Sequence, residues 1–114
     1  MSVDRYTDSI ESVADILRER GDNYGAPYAN HVTIAKMWSA ILGHDISPNQ
    51  VAMCMIAVKL SRLANQDTHD DSWADIIGYG GIGRGIAAIE RDVQDALSKN
   101  RSAPFKYVKW SRMG

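Results

Sequence analysis

The stretch THDDSWADIIGYGGIGRG, Thr68–Gly85, decides between two very different folds. Read one way, Gly78–Gly83 spells G-x-G-x-x-G, the turn that cradles a pyrophosphate in doubly wound α/β proteins. That turn works only where a strand ends and a helix begins, because the phosphate sits on the helix's first free amides. No strand-like run precedes Gly78; the segment reads instead as a helix, capped by Asp70 or Asp71 and running to about Ser98. A glycine inside a helix costs about 1 kcal/mol relative to alanine. Five of them between Gly78 and Gly85 therefore need a reason. Gly78, Gly81 and Gly85 fall three and four apart on one side, the spacing that lets another helix approach, within the chain or across a dimer. Gly80 and Gly83 thin the adjacent face, and a floor under a flat ligand is the alternative use.

The rest of the chain reads as three more helices. Ile10, Val13, Ala14 and Leu17 recur at helical spacing after Asp8 or Ser9, with Gly21 as the expected stop. RGDNYGAPYAN, Arg20–Asn30, then reads as a loop of about ten residues, a length that is often functional. A second helix is expected from Tyr28 to Leu42, closed by Gly43. Ser47, Pro48 and Gln50 make a strong helix start, so a third helix covers Pro48–Asn65; it is apolar around most of its circumference and is expected to be central. FKYVKW, Phe105–Trp110, carries the single useful β-like alternation. The fold class is all-α, with a helical domain over residues 1–98 and a basic-aromatic arm over 99–114.

Composition narrows the function classes. A chain of 114 residues with 45% apolar and 24% charged residues is an ordinary globular domain, and its net charge of −1 draws it to neither nucleic acid nor membrane. No apolar run reaches the ~20 residues of a membrane span, and no signal peptide is visible, so the cytoplasm is the expected compartment. The lone Cys54, flanked by methionines, is expected to be a core thiol. The arm interleaves Lys99, Arg101, Lys106, Lys109 and Arg112 with Phe105, Tyr107 and Trp110. That mixture can grip single-stranded nucleic acid, but packing on the domain or a partner subunit is the favoured reading.

Two sets of charges stand where apolar residues belong. Lys59 and Arg62, three apart on the most apolar helix, repel unless an anion or carboxylate answers them. Either their heads reach water or Asp71 and Asp75, or they converge on a ligand phosphate. Asp71, Asp75 and Tyr79 form a stripe on the fourth helix, suited to a sugar hydroxyl, a base edge or an internal hydrogen-bond network. Asp75 has no capping role and needs a partner. His31, His44–Asp45 and His69–Asp70 raise a metal-phosphohydrolase reading, weakened by the loop settings of the last two.

The motifs ERGDNYGAPYANH, VKLSRL and HDDSWADIIGY together resemble a family of small phage and prophage all-α proteins, over roughly residues 16–90. More remotely, the order is similar to the MazG-type all-α nucleoside triphosphate pyrophosphohydrolases. That resemblance implies a bundle of four helices and a magnesium site built from two acidic helices. Asp71 to Asp75 could supply the second acidic element, but the first is replaced by Lys59 and Arg62, so hydrolase activity is not carried over.

The expected function is therefore a nucleotide or cyclic-nucleotide binder, plausibly a phage protein sequestering a host immune signal inside the infected bacterium. Lys59 and Arg62 would take phosphate, with Arg20, Tyr24 and Asn30 closing over it. Asp71, Asp75 and Tyr79 would read sugar or base, with His69 beside them. No cofactor is expected unless the protein is an enzyme, when magnesium at Asp71 and Asp75 enters; a homo-oligomer is expected, and nucleic acid is not. A metal-dependent pyrophosphohydrolase and a non-catalytic interaction protein are the alternatives.

Overall fold

The computed structural model describes residues 2–100, without the side chains of Tyr24 and Asn100. The arm from residue 101 onward, FKYVKW included, lies outside the described residues. Four helices follow in order: α1 Asp4–Tyr24, α2 Pro27–Leu42, α3 Pro48–Asn65 and α4 Asp70–Asn100. Among the described residues there is no strand, and the all-α reading holds.

α3 begins where its sequence says. The Gln50 amide donates to Ser47 Oγ at 3.1 Å while the Ser47 amide donates to Gln50 Oε1 at 2.9 Å, so both halves of the capping box form. α2 stops at Gly43, whose φ of 76° is left-handed and suits glycine alone among common residues. The Ser39 hydroxyl ties the turn that follows, donating to the Ala35 carbonyl and accepting from the Ile46 amide at 2.8 Å. Ala35, Ile46 and Val51, with Ile34 and Trp38 against them, fill the space between α2 and α3.

Three expectations are corrected. Arg20–Asn30 is not a long loop: α1 continues through Gly21 to Tyr24, and only Gly25 and Ala26 separate it from α2. Gly25 carries the positive φ of 86° and Pro27 opens α2, so glycine followed by N1 proline is the true break. α4 is capped by neither Asp70 nor Asp71. His69 does this work, its Nδ1 accepting the Ser72 amide at 3.2 Å and lying 2.8 Å from the fully buried Ser72 hydroxyl. Cys54 is exposed rather than in the core, and so are Met53, Val58 and Leu60; α3 packs on α2 and α4 and leaves its remaining side open.

α4 organises the molecule. Lys59 pairs with Asp75, while Gly83 lies against Asn49 and Ala52, so α3 runs antiparallel to it. Gly78 meets Val13, and Gly81 meets Leu17, so α1 runs parallel to it on another side. A β-carbon at Gly78 or Gly81 would sit 3.6–3.7 Å from those side chains, ordinary contact, so the glycines bring α1 close without being sterically compulsory. Gly80 and Gly85 face open space within the chain.

Candidate functional site

α3 and α4 bring together the first sequence-predicted pair. Lys59 Nζ lies 3.1 Å from Asp75 Oδ2, with the two side chains 13% and 39% exposed. The Lys59 stem is held among apolar neighbours and its ammonium would be costly without that carboxylate. Asp75 keeps its second oxygen and stays open enough to meet a ligand. Tyr79 stands one turn along the same face of α4, half-buried.

α2 adds a group that the sequence weighed solely as a metal ligand. His31 is 4% exposed, and its ring meets Tyr79 edge-on with centroids 6.3 Å apart. Its Nδ1 lies 3.0 Å from the Pro27 carbonyl, one helical turn back. A carbonyl can only accept, so Nδ1 carries the proton, and in the neutral ring Nε2 is left as an acceptor. That Nε2 is buried with no hydrogen-bond partner among the described residues. Buried polar atoms are normally satisfied, which makes this one a chemical opening. Nothing in the local sequence signals it, because the tautomer lock and the approach of Tyr79 exist only once α2 and α4 are packed. Asn49 Oδ1, under Gly83, is a second buried acceptor without a partner among the described residues.

The other expected residues are mostly exposed. Arg62 is exposed on the last turn of α3 and makes no ion pair among the described residues, so its charge is unspent. Arg20 is exposed on α1 and Asn30 on α2, both in helices rather than on a closing loop. The Tyr24 side chain is outside the description. Asp71 is exposed on the first turn of α4, where its charge favours the helix dipole. His69 spends Nδ1 on the cap.

A magnesium site of the kind the pyrophosphohydrolase resemblance implies does not fit these residues. Asp75 is engaged by a cation, and no group of three or more His, Cys, Asp or Glu side chains among the described residues could hold a metal ion. Among the described residues no helix is long and apolar enough to cross a membrane.

Comparison with known proteins finds phage relatives. The chain is 37% identical over 65 residues to the gene 55 protein of Mycobacterium phage L5, covering 56% of this chain and 42% of that protein. It is 41% identical over 63 residues to the gene 55 protein of Mycobacterium phage D29, covering 55% and 42%. The match thus spans less than half the length of either relative. No solved structure matches. Residues 10–87, which carry α2, α3, most of α1 and all the candidate site residues, match the profile of a domain of unknown function, DUF6378; the chain belongs to that family.

Proposed function

We propose that the α2–α3–α4 cluster binds a nucleotide or cyclic-nucleotide-type ligand and holds it without hydrolysing it. The observation that carries this reading is the half-buried Lys59–Asp75 pair, one turn from Tyr79, whose ring meets His31 with an Nε2 that has no partner among the described residues. Arg62, exposed on the same helix as Lys59 and without a carboxylate partner among the described residues, is the phosphate-seeking group; its planar fork suits phosphate oxygens. Asp75 and His31 are both acceptors, so they call for a ligand that brings hydroxyl or amino hydrogens as well as negative charge. A nucleoside phosphate carries both. We further propose that the ligand is a nucleotide signal of the host immune system, sequestered in the bacterial cytoplasm; the matched relatives are phage proteins and bear on the origin alone.

The test is a thermal-shift and product assay of the purified chain against linear and cyclic nucleotides, with and without magnesium. Stabilisation indifferent to magnesium, with the ligand recovered intact, is expected. Arg62→Ala should weaken binding roughly 10- to 100-fold, the loss of one charge-assisted contact, while leaving the helical circular dichroism unchanged. His31→Phe, which keeps the ring packing on Tyr79, should weaken binding of hydroxyl-bearing ligands. Turnover that ceases in Asp75→Asn would instead make the protein a hydrolase, and no shift with any nucleotide would discard the binding role.

A further inference from the structure

Two apolar seams run out of the body of the molecule at opposite ends. On α1, Val3, Tyr6, Ile10, Val13 and Leu17 repeat at alternating spacings of three and four, the heptad pattern of paired helices. Val13, under α4, is 5% exposed, whereas Ile10 is 56% and Tyr6 67% exposed on the same stripe. The acids Asp4, Asp8, Glu11 and Asp15 occupy the opposite side. On α4, Ile82, Ile86, Ile89, Val93 and Ala96 repeat in the same manner. Ile86 is buried, and Ile89, the next member, is already open.

The register explains both exposures. α3 starts at Pro48 and meets α4 through Asn49 at Gly83, so the last dozen or so residues of α4, about 20 Å of helix, run past the start of α3. At the other end, the N-terminal half of α1 continues the Val13–Gly78 seam with its apolar stripe uncovered. The isolated chain is correspondingly poor in core: seven buried hydrophobic residues stand against twelve exposed large ones among the described residues. Contiguous exposed apolar stripes of this kind mark a surface for association.

We infer that this partner is a second copy of the chain, arranged antiparallel, with the free half of α1 in each copy covering the free part of α4 in the other. α1 and α4 are parallel within a chain, so their free seams lie at opposite ends and cannot meet. Ile10 precedes Val13, which faces Gly78; Val93 lies fifteen residues beyond Gly78, more than 20 Å along the axis by the helical rise of about 1.5 Å per residue. A two-fold axis across α4 reverses one copy and brings each seam beside its complement, twice over. Such a contact is isologous and closes on itself. On α1 it continues the stripe whose Val13 and Leu17 already pack on Gly78 and Gly81 inside each chain. The inference does not depend on the ligand reading.

Light scattering with size-exclusion chromatography on the full chain tests it. Wild type should run as a dimer or an even-numbered higher assembly at micromolar concentration, and Tyr6→Asp/Ile10→Asp should run as a monomer. Because that variant could also lose its fold, a second measurement uses a Cys54→Ser background. Chains with Ile10→Cys, mixed with chains carrying Val93→Cys and oxidised in air, should give the mixed covalent dimer ahead of either like pair. A monomeric wild type overturns the inference. So does cross-linking without preference for the mixed pair, or an assembly that survives Tyr6→Asp/Ile10→Asp but is lost in Met53→Asp/Leu60→Asp on the outer side of α3.

Discussion

α4 meets α3 and α1 on opposite chemical terms. Toward α3 it offers Asp75 to Lys59 and Gly83 to Asn49, with Tyr79 meeting His31 of α2 beside them, so charge and polarity fix where each residue must stand. Toward α1 it offers Gly78 and Gly81 to the methyl groups of Val13 and Leu17, and among the described residues no ion pair or side-chain hydrogen bond joins the two helices. The polar seam is specific and leaves spare hydrogen-bonding capacity, which is what a binding site needs. The smooth seam is permissive, and it leaves half of its apolar stripe for something else. One helix thus separates recognition on one side from assembly on the other.

The contrast can be broken most severely at Ile86, one turn beyond Gly83 and 2% exposed. Ile86→Ala should cost about 3 kcal/mol in urea unfolding, the usual price of a cavity at a well-packed site. Next comes Asp75→Ala, which strands the Lys59 ammonium and should cost about 2 kcal/mol. The double variant Lys59→Met/Asp75→Leu should recover most of that loss, since two apolar groups leave nothing unpaired. If the double variant is no better than the single, the polar seam matters for more than pairing.

A smaller effect of opposite sign is expected on the other side. Gly85→Ala meets nothing within 4 Å inside the chain, so it should raise stability by about 0.5–1 kcal/mol through helix propensity alone. A loss would mean that a second copy lies directly against Gly85. The smallest effect belongs to Glu90, whose carboxyl burial pushes above its ordinary 4.5. A raised carboxylate favours the fold in its protonated form, so its contribution is present below 4.5 and is lost as pH rises through the folded-state value. Glu90→Gln should therefore gain on wild type as pH rises through that window, and a flat difference between pH 4 and 7 would remove the effect.

Much of this was legible in the sequence, for reasons that vary by element. Ser47-Pro48-Asn49-Gln50 states a helix start in purely local chemistry, and α3 obeys it. The pairing of Lys59 with Asp75 was foreseeable because each needed an opposite charge and each lay on a helix with few alternatives. Gly21 misled: a glycine ends a helix only where a left-handed residue is required, and that demand falls on Gly25. His69 was read as part of a loop because an imidazole cap depends on the ring turning back onto Ser72. His31 and the exposure of Cys54 were invisible, since both follow from which sides of α2 and α3 the other helices happen to cover.

The two-residue link at Gly25 and Ala26 has a dynamic consequence. α1 rests chiefly on α4 and is joined to the remainder by a glycine pivot, so it can peel away without disturbing the core of Ala35, Ile46 and Val51. Amide hydrogen exchange should then register α1 as its own cooperative unit, opening at lower free energy than α3. A protease acting during such openings should nick the chain near that pivot and leave α2–α4 behind.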